Sequence, residues 1–331
     1  MRISRRLLMG LAATAMLAGQ TLTAKAETVL RVTLQLPIKH HLGQNMLDFK
    51  KEVEAKTNGE IRIEIYPSAQ LYKDKEVPQA VSSGAIEMGI ASLTRFAGTI
   101  PAVDIFYVPF MFDSQEKVKK ATAPDSPIRK ALDEAILKTG ARVLWWQAFG
   151  QAIVLSKKEP IRLPQDMKGK KVRVFGKTIG ETVKVLGGSP VLMSGSKQFL
   201  AYQRGAVDAG MTGITAVKSR KLYEVMDYLT LTRHADIEFI VIINEKVWQG
   251  LKPEHREIIM TAARRVEKEL RDKMNAIENQ ALEDIRPKIK VIELTEAERD
   301  EWRKATRPVV DAYIRNAGEL GRRLVEEAGK L

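Results

Sequence analysis

An α/β protein of at least two lobes, bridged by one long helix, is the fold class that the sequence predicts. Three observations predict it. Strand-like and helix-like segments alternate over about the first hundred residues, as in βαβ units; an uninterrupted helical period lies between Pro253 and Pro287; and the 331-residue chain is long enough for two cores.

The elements follow in order. "VLRVTLQLP" alternates as a strand and ends at Pro37, and "NMLDFKKEVEAKTNGE" is an amphipathic helix stopped by Asn58-Gly59. "IRIEIYP" is the next strand, "KEVPQAVSSGA" a helical stretch and "IEMGIAS" a third strand, before the apolar loop "IPAVDIFYVPFMF". After the helix "SPIRKALDEAILKTG", the segments "ARVLWWQAF" and "KKVRVFG" resume the alternation, and "VDAGMTGI" reads as a short strand of a second sheet. Between Pro253, a helix start, and Pro287, a stop, Ile258, Ile259, Ala262, Val266, Leu270, Met274 and Ile277 recur at helical spacing. About 30 residues at 1.5 Å each make roughly 45 Å of helix, more than the roughly 30 to 40 Å width of one lobe, so it bridges lobes. "TEAE" from Thr295 fits a capping box for a last helix that Pro308 kinks. The lobes are set at 27–150 with about 239–278, and 151–238 with about 279–331.

Residues 1–26 carry a basic start (Arg2, Arg5, Arg6), an apolar run from Leu7 to Ala18, and Ala24 and Ala26 around Lys25. That is the three-part pattern of an export signal cut after Ala26, with an apolar run shorter than the roughly 20 residues of a membrane span. "SRRLL" leaves Sec and twin-arginine export both open. Cleavage removes four basic residues and no acids, taking the net charge from +13 to about +9. The remaining bases interleave with acids ("RRVEKELRDK", "RDEWRK"), the pattern of solvated helix faces, and no nucleic-acid signature accompanies them. With no cysteine, disulfides, zinc-thiolate sites and thiol nucleophiles are excluded together.

Catalytic motifs fail one by one. "GKT" at Gly176–Thr178 lacks the glycine of a phosphate loop, because Lys171 stands there. "SGSK" at Ser194–Lys197 has no Ser-Asp-Asn, and its "KTG" at Lys138–Gly140 precedes it. His40, His41, His234 and His255 show no metal-ligand spacing, and no Gly-x-Ser-x-Gly elbow occurs. An exported hydrolase therefore has no residue to stand on, and neither metal nor cofactor is expected. What asks for a role is Arg173, set between Val172 and Val174 in an otherwise strand-like segment. Composition alone reads it as a surface arginine.

The ordered segments "LPIKHHLGQNMLDFKKEVEAKTNGEIRIEIYPSAQL", "AVSSGAIEMGIAS", "VPFMF", "PIRLPQDMKGKKVRV" and "AYQRGAVDAG" resemble the extracytoplasmic solute receptors of TRAP (tripartite ATP-independent periplasmic) transporters, the DctP type, over nearly all of the chain after residue 26. The resemblance implies a two-lobed, clamshell-type periplasmic binding protein, not an enzyme. It implies closure on an organic acid and delivery to small and large integral membrane subunits. A receptor of an ATP-dependent transporter would share the clamshell, and the neighbouring membrane subunits would separate the two. The arginine of the family's "KG-x-K-x-R-V" segment, here Arg173, is implied to pair with the ligand carboxylate, a role that a planar two-donor fork suits.

Departures from the family pattern refine the expectation. Gly150-Gln151-Ala152 stand where many relatives have a second arginine; Thr212 replaces a ligand-binding asparagine; Gly195 stands where an aromatic is common. Together these imply one carboxylate anchor with extra room, suited to a bulky or aromatic monocarboxylate more than to a C4-dicarboxylate. Trp146 and Phe149 are candidates for an aromatic wall or for core, and Gln151 for a neutral donor or a solvent contact. Thr94 and His41, each after a strand, are candidates for ligand contact by the rule that ligands meet the carboxyl ends of strands, with a cap or hinge contact equally open for His41.

Overall fold

The computed structural model describes residues 27–331; the export signal expected over residues 1–26 lies outside them. The chain runs β1 (Thr28–Leu34), α1 (His41–Lys56), β2 (Ile61–Tyr66), α2 (Val77–Ser83), β3 (Met88–Ser92), α3 (Gln115–Thr122), α4 (Pro127–Leu137) and β4 (Ala141–Ser156). It continues through β5 (Lys171–Val174), α5 (Lys177–Val185), β6 (Ser189–Leu192), α6 (Gln198–Gln203), β7 (Ala209–Gly213), α7 (Ile214–Ser219), β8 (Tyr228–Thr230) and β9 (Asp236–Asn244). Last come α8 (Glu245–Gly250), α9 (Pro253–Ile285), β10 (Lys290–Ile292), α10 (Glu296–Thr306) and α11 (Pro308–Ala328).

The strands form one continuous ladder in the order β2-β1-β3-β9-β4-β7-β5-β6, with β8 branching from β4 and β10 pairing β8. The βαβ expectation holds at both ends, where β1, β2 and β3 pair in parallel and β5 pairs in parallel with β6 and β7. The middle is antiparallel, because β9 and β4 return through the sheet. β4 is the chief departure from the expected elements. The segment "ARVLWWQAF" does not stop but continues to Ser156, a 16-residue strand that pairs β9 along its first part and β7 and β8 along its last. Its register slips between Ala148 and Gly150, where Gly150 takes φ 105°, a conformation that costs only glycine little.

The long helix has the expected bounds. α9 spans 33 residues from Pro253 to Ile285 and buries its start (Ile259, Ala262, Val266) in the main core, and its end (Ala281, Leu282, Ile285) in a second core with Ile153, Leu155 and Val217. It thus joins the two halves, as its length requires. The capping box forms: Thr295 accepts from the Glu298 N–H and the Glu298 carboxylate accepts from the Thr295 N–H. α11 starts anew at Pro308 and is interrupted at Gly318 (φ 64°, ψ −147°); it packs on both residues 101–107 and α5. Among the described residues no helix is long and apolar enough to cross a membrane.

Candidate functional site

The site is built from strand ends. β5 turns Val172 and Val174 into the core and leaves Arg173 on its other face, buried at 3% exposure. Arg173 Nη1 donates to the Met211 carbonyl at 2.6 Å and Nη2 to the Met193 carbonyl at 2.9 Å. Its Nε has no hydrogen-bond partner among the described residues. Phe175, two residues on, lies under the guanidinium at 5.6 Å from the ring centroid.

A second arginine enters from the loop after β3. Buried Asp74 accepts from the Ser92 N–H (3.0 Å), the Ser92 hydroxyl (2.7 Å) and Arg95 Nε, so one carboxylate fixes the loop and neutralises Arg95. The third arginine, Arg220, follows α7. Its Nη1 donates to Gln198 Oε1 at 3.0 Å, and Gln198 Nε2 donates to the Tyr202 hydroxyl at 3.1 Å. Arg220 Nη2 is buried without a partner among the described residues. The guanidinium rests on Gly195, where a Cβ would stand 2.4 Å from Nη1.

These three arginines, with Gln35, Asp74, Ser92, Gly195 and Thr212, line a cavity of about 20 Å³ whose apolar wall is Phe149, Phe175, Ile237 and Phe239. Phe149 of β4 and Phe239 of β9 stack with centroids 5.0 Å apart. Burial pulls the Arg173 guanidinium down to about 9 and that of Arg220 to about 10, because removing a cation from water penalises its charged form. At that volume the cavity holds about one water, so entry of an organic molecule requires the two sides to part.

Of the residues expected from the sequence, Arg173, Thr212 and Phe149 line the cavity. Thr94 neighbours it: its buried hydroxyl faces Gly176, where a Cβ would stand 2.3 Å away. Three others lie elsewhere. Trp146 is core, its indole N–H donating to Asp133 Oδ1 at 2.8 Å and its ring edge-on to Phe106. The Gln151 N–H donates to Glu278 of α9 at 2.9 Å, and Gln151 is not among the residues that line the cavity. His41 Nε2 is 3.0 Å from the Ala148 carbonyl, in a separate groove with His40, and burial pulls it down to about 4.

Arg95, Arg220, Asp74, Gln35 and Phe239 were not singled out by sequence reasoning. Arg95 carried a signal, one residue past Thr94 at the same strand end. Arg220 carried none, since Lys218–Lys221 reads as a solvated basic run.

A buried cluster of cations that exceeds its anions, enclosed between two halves of a sheet that share a long helix, defines a binding protein that traps an anion. The chain belongs to the bacterial extracellular solute-binding protein family 7, whose pattern it matches over residues 34–316. It is 28% identical over 282 residues to the C4-dicarboxylate-binding protein DctB of Bacillus subtilis, spanning 84% of this chain and 80% of that one. A sugar acid binding protein from Advenella mimigardefordensis, solved with galactonate, superposes with a TM-score of 0.87 at 23% identity, over 92% of this chain and 98% of that one. A TRAP periplasmic solute binding protein from Desulfovibrio salexigens, solved with orotic acid, gives 0.85 at 25% identity, over 91% and 99%. The two-lobed clamshell and the TRAP solute-receptor class expected from the sequence are thereby established.

Proposed function

We propose that this chain is an extracytoplasmic receptor that closes over an organic acid and hands it to the small and large integral membrane subunits of a TRAP transporter. The observation that carries this reading is Arg173, a buried guanidinium that makes no ion pair among the described residues and keeps a free N–H at the cavity wall. A carboxylate supplies both the missing charge and the missing acceptor. The relatives' ligands, a C4-dicarboxylate, galactonate and orotic acid, are all of this class.

The body of the ligand meets Phe149, Phe175 and Phe239, which supports the expectation of an aromatic or bulky acid. The spare room expected at Gly195 is another matter. Arg220 fills it, so Gly195 provides space for a side chain of the protein.

Thermal-shift screening of the chain without residues 1–26 against an organic-acid panel tests the reading. Acids that bind the folded state raise Tm, and Arg173→Ala and Arg173→Lys abolish the rise while far-UV circular dichroism shows a folded chain. A full response in both variants would remove Arg173 from the site.

A further inference from the structure

A basic trough lies outside the ligand cavity and shares none of its lining residues. Two adjoining hollows form it, of about 740 and 630 Å³, with Tyr223 and Lys288 in the walls of both. The first is bounded by the turn before α1, the end of α7 and the end of α9, and the second by residues 223–228 and β10.

Six cations line the hollows, Lys39, Lys218, Lys221, Arg286, Lys288 and Lys290, against two carboxylates, Asp227 and Asp284. Both carboxylates are taken: Asp284 pairs with Lys218 and accepts from Gln280 at 3.0 Å, and Asp227 accepts the Lys158 N–H at 2.8 Å. Lys221 faces Glu224 at 3.7 Å, and Arg286 is neutralised by Glu283 and Glu293. Lys39, Lys288 and Lys290 make no ion pair among the described residues. Instead, the Lys288 and Lys290 ammonium groups stand over the rings of Tyr223 and Tyr228, 4.9 and 5.4 Å from the centroids, a contact that holds a cation without neutralising it. His40 and His41 add no charge at neutral pH, because burial lowers both.

The layout of the free charge decides what fits. Ile289 is extended (φ −149°, ψ 145°), so Lys288 and Lys290 stand roughly 6.6 Å apart along the chain, each over its own ring. Acidic side chains at alternate positions of an extended peptide repeat at the same roughly 6.6 Å, whereas a compact anion meets one lysine at a time. Pro37, Ile277, Ala281 and Ile289 place half-buried or buried apolar surface among the lysines, which a polypeptide can cover and a phosphate cannot. The trough is concave, so a flat lipid surface would reach only its rim.

We propose that this trough is a docking site for an extended acidic segment of a partner protein, with carboxylates at alternate positions on Lys288 and Lys290 and another on Lys39. Fluorescence anisotropy of the chain without residues 1–26 tests it, the probe being a fluorescein-labelled decapeptide that alternates glutamate with alanine. A peptide of the same composition with its glutamates in one block is expected to bind about threefold more weakly, and the glutamine counterpart not to bind. Lys288→Glu/Lys290→Glu weakens the alternating peptide at least about tenfold and Lys39→Glu about threefold, both with the far-UV circular dichroism and Tm of the wild type. Lys130→Glu/Lys246→Glu, the same change of net charge on exposed lysines of α4 and α8, leaves Kd within about twofold. An equal loss in the two double variants reduces the attraction to net charge and overturns the assignment, as does a block peptide that binds as tightly as the alternating one. Tripolyphosphate that displaces the peptide at a lower concentration than the unlabelled peptide does would make the trough a compact-anion site instead. Phosphatidylglycerol vesicles that sediment the wild type but not Lys288→Glu/Lys290→Glu would make it a lipid-facing surface, and either result removes the peptide from it.

Discussion

Tyr202 shows how narrowly single positions define this cavity. Its hydroxyl lies over β7, where a Cβ on Gly210 would stand 1.8 Å away, and it holds the Gln198 that holds Arg220. Gly210→Ala therefore overfills a buried site: a loss of roughly 1–3 kcal/mol of stability is expected, with a lower Tm, and the chain of contacts to Arg220 moves with it. Urea unfolding measures the first effect, and an unchanged midpoint would show that Tyr202 has somewhere else to go. At this scale the sequence was informative where a family segment surrounds the residue, as at Arg173. It was silent where the residue sits in an ordinary-looking run, as at Arg220, because burial of a charged side chain is decided by the elements that come to cover it. Trp146 shows the converse. An aromatic after a strand is compatible with either wall or core, and its indole N–H on Asp133 puts it in the core.

β9 illustrates what alternation hides at the scale of an element. Ile237 and Phe239 face the cavity, while Asp236 and Glu238 are buried as well, Glu238 in a two-point ion pair with Arg271 of α9. Carboxylates at alternate positions read as a solvent face, so the buried acid network was not legible, whereas α9 was, because prolines bracket its period. Glu278 of α9 lies behind Gly150, accepts the Gln151 N–H, and feels the charges of Arg233 and Asp236; burial pushes its carboxyl up to about 7. The unfolded chain loses this proton near its ordinary 4.5, while the folded chain keeps it to about 7. Stability is thus fully present at low pH and falls as pH rises from 4.5 to 7. Glu278→Gln, which keeps the acceptor and removes the titration, is expected to flatten the fall of Tm across that window. Parallel melts from pH 5 to pH 8 check this, and identical slopes for the two proteins would clear Glu278 of the effect.

Over the whole molecule, the halves meet through contacts that the sequence has no means of pairing. Asp104 accepts the Thr178 N–H at 3.1 Å at the start of α5, and His40 Nε2 lies 3.2 Å from the Thr215 hydroxyl, partners 74 and 175 residues apart. On the proposed closure these bonds belong to the closed form. Asp104→Ala then speeds ligand release about tenfold with little change in the association rate, since a hydrogen bond to a charged group contributes roughly 1.5–3 kcal/mol. Stopped-flow tryptophan fluorescence separates the two rates, and a change confined to association would place Asp104 outside the latch. The α/β class, the two halves and the bridging helix were legible because they follow from local period and length. The closed geometry was not, because it depends on which distant side chains the halves bring together.

β4 carries a mechanical consequence. A strand that passes unbroken from one half to the other, bent at Gly150 with Glu278 seated behind the bend, is a leaf spring rather than a door pin. Such a beam has a rest angle and stores elastic work when flexed away from it. On the proposed closure, how widely the mouth gapes depends on the stiffness of this bend and of the helix at its back, which ties the trap's travel to its recoil.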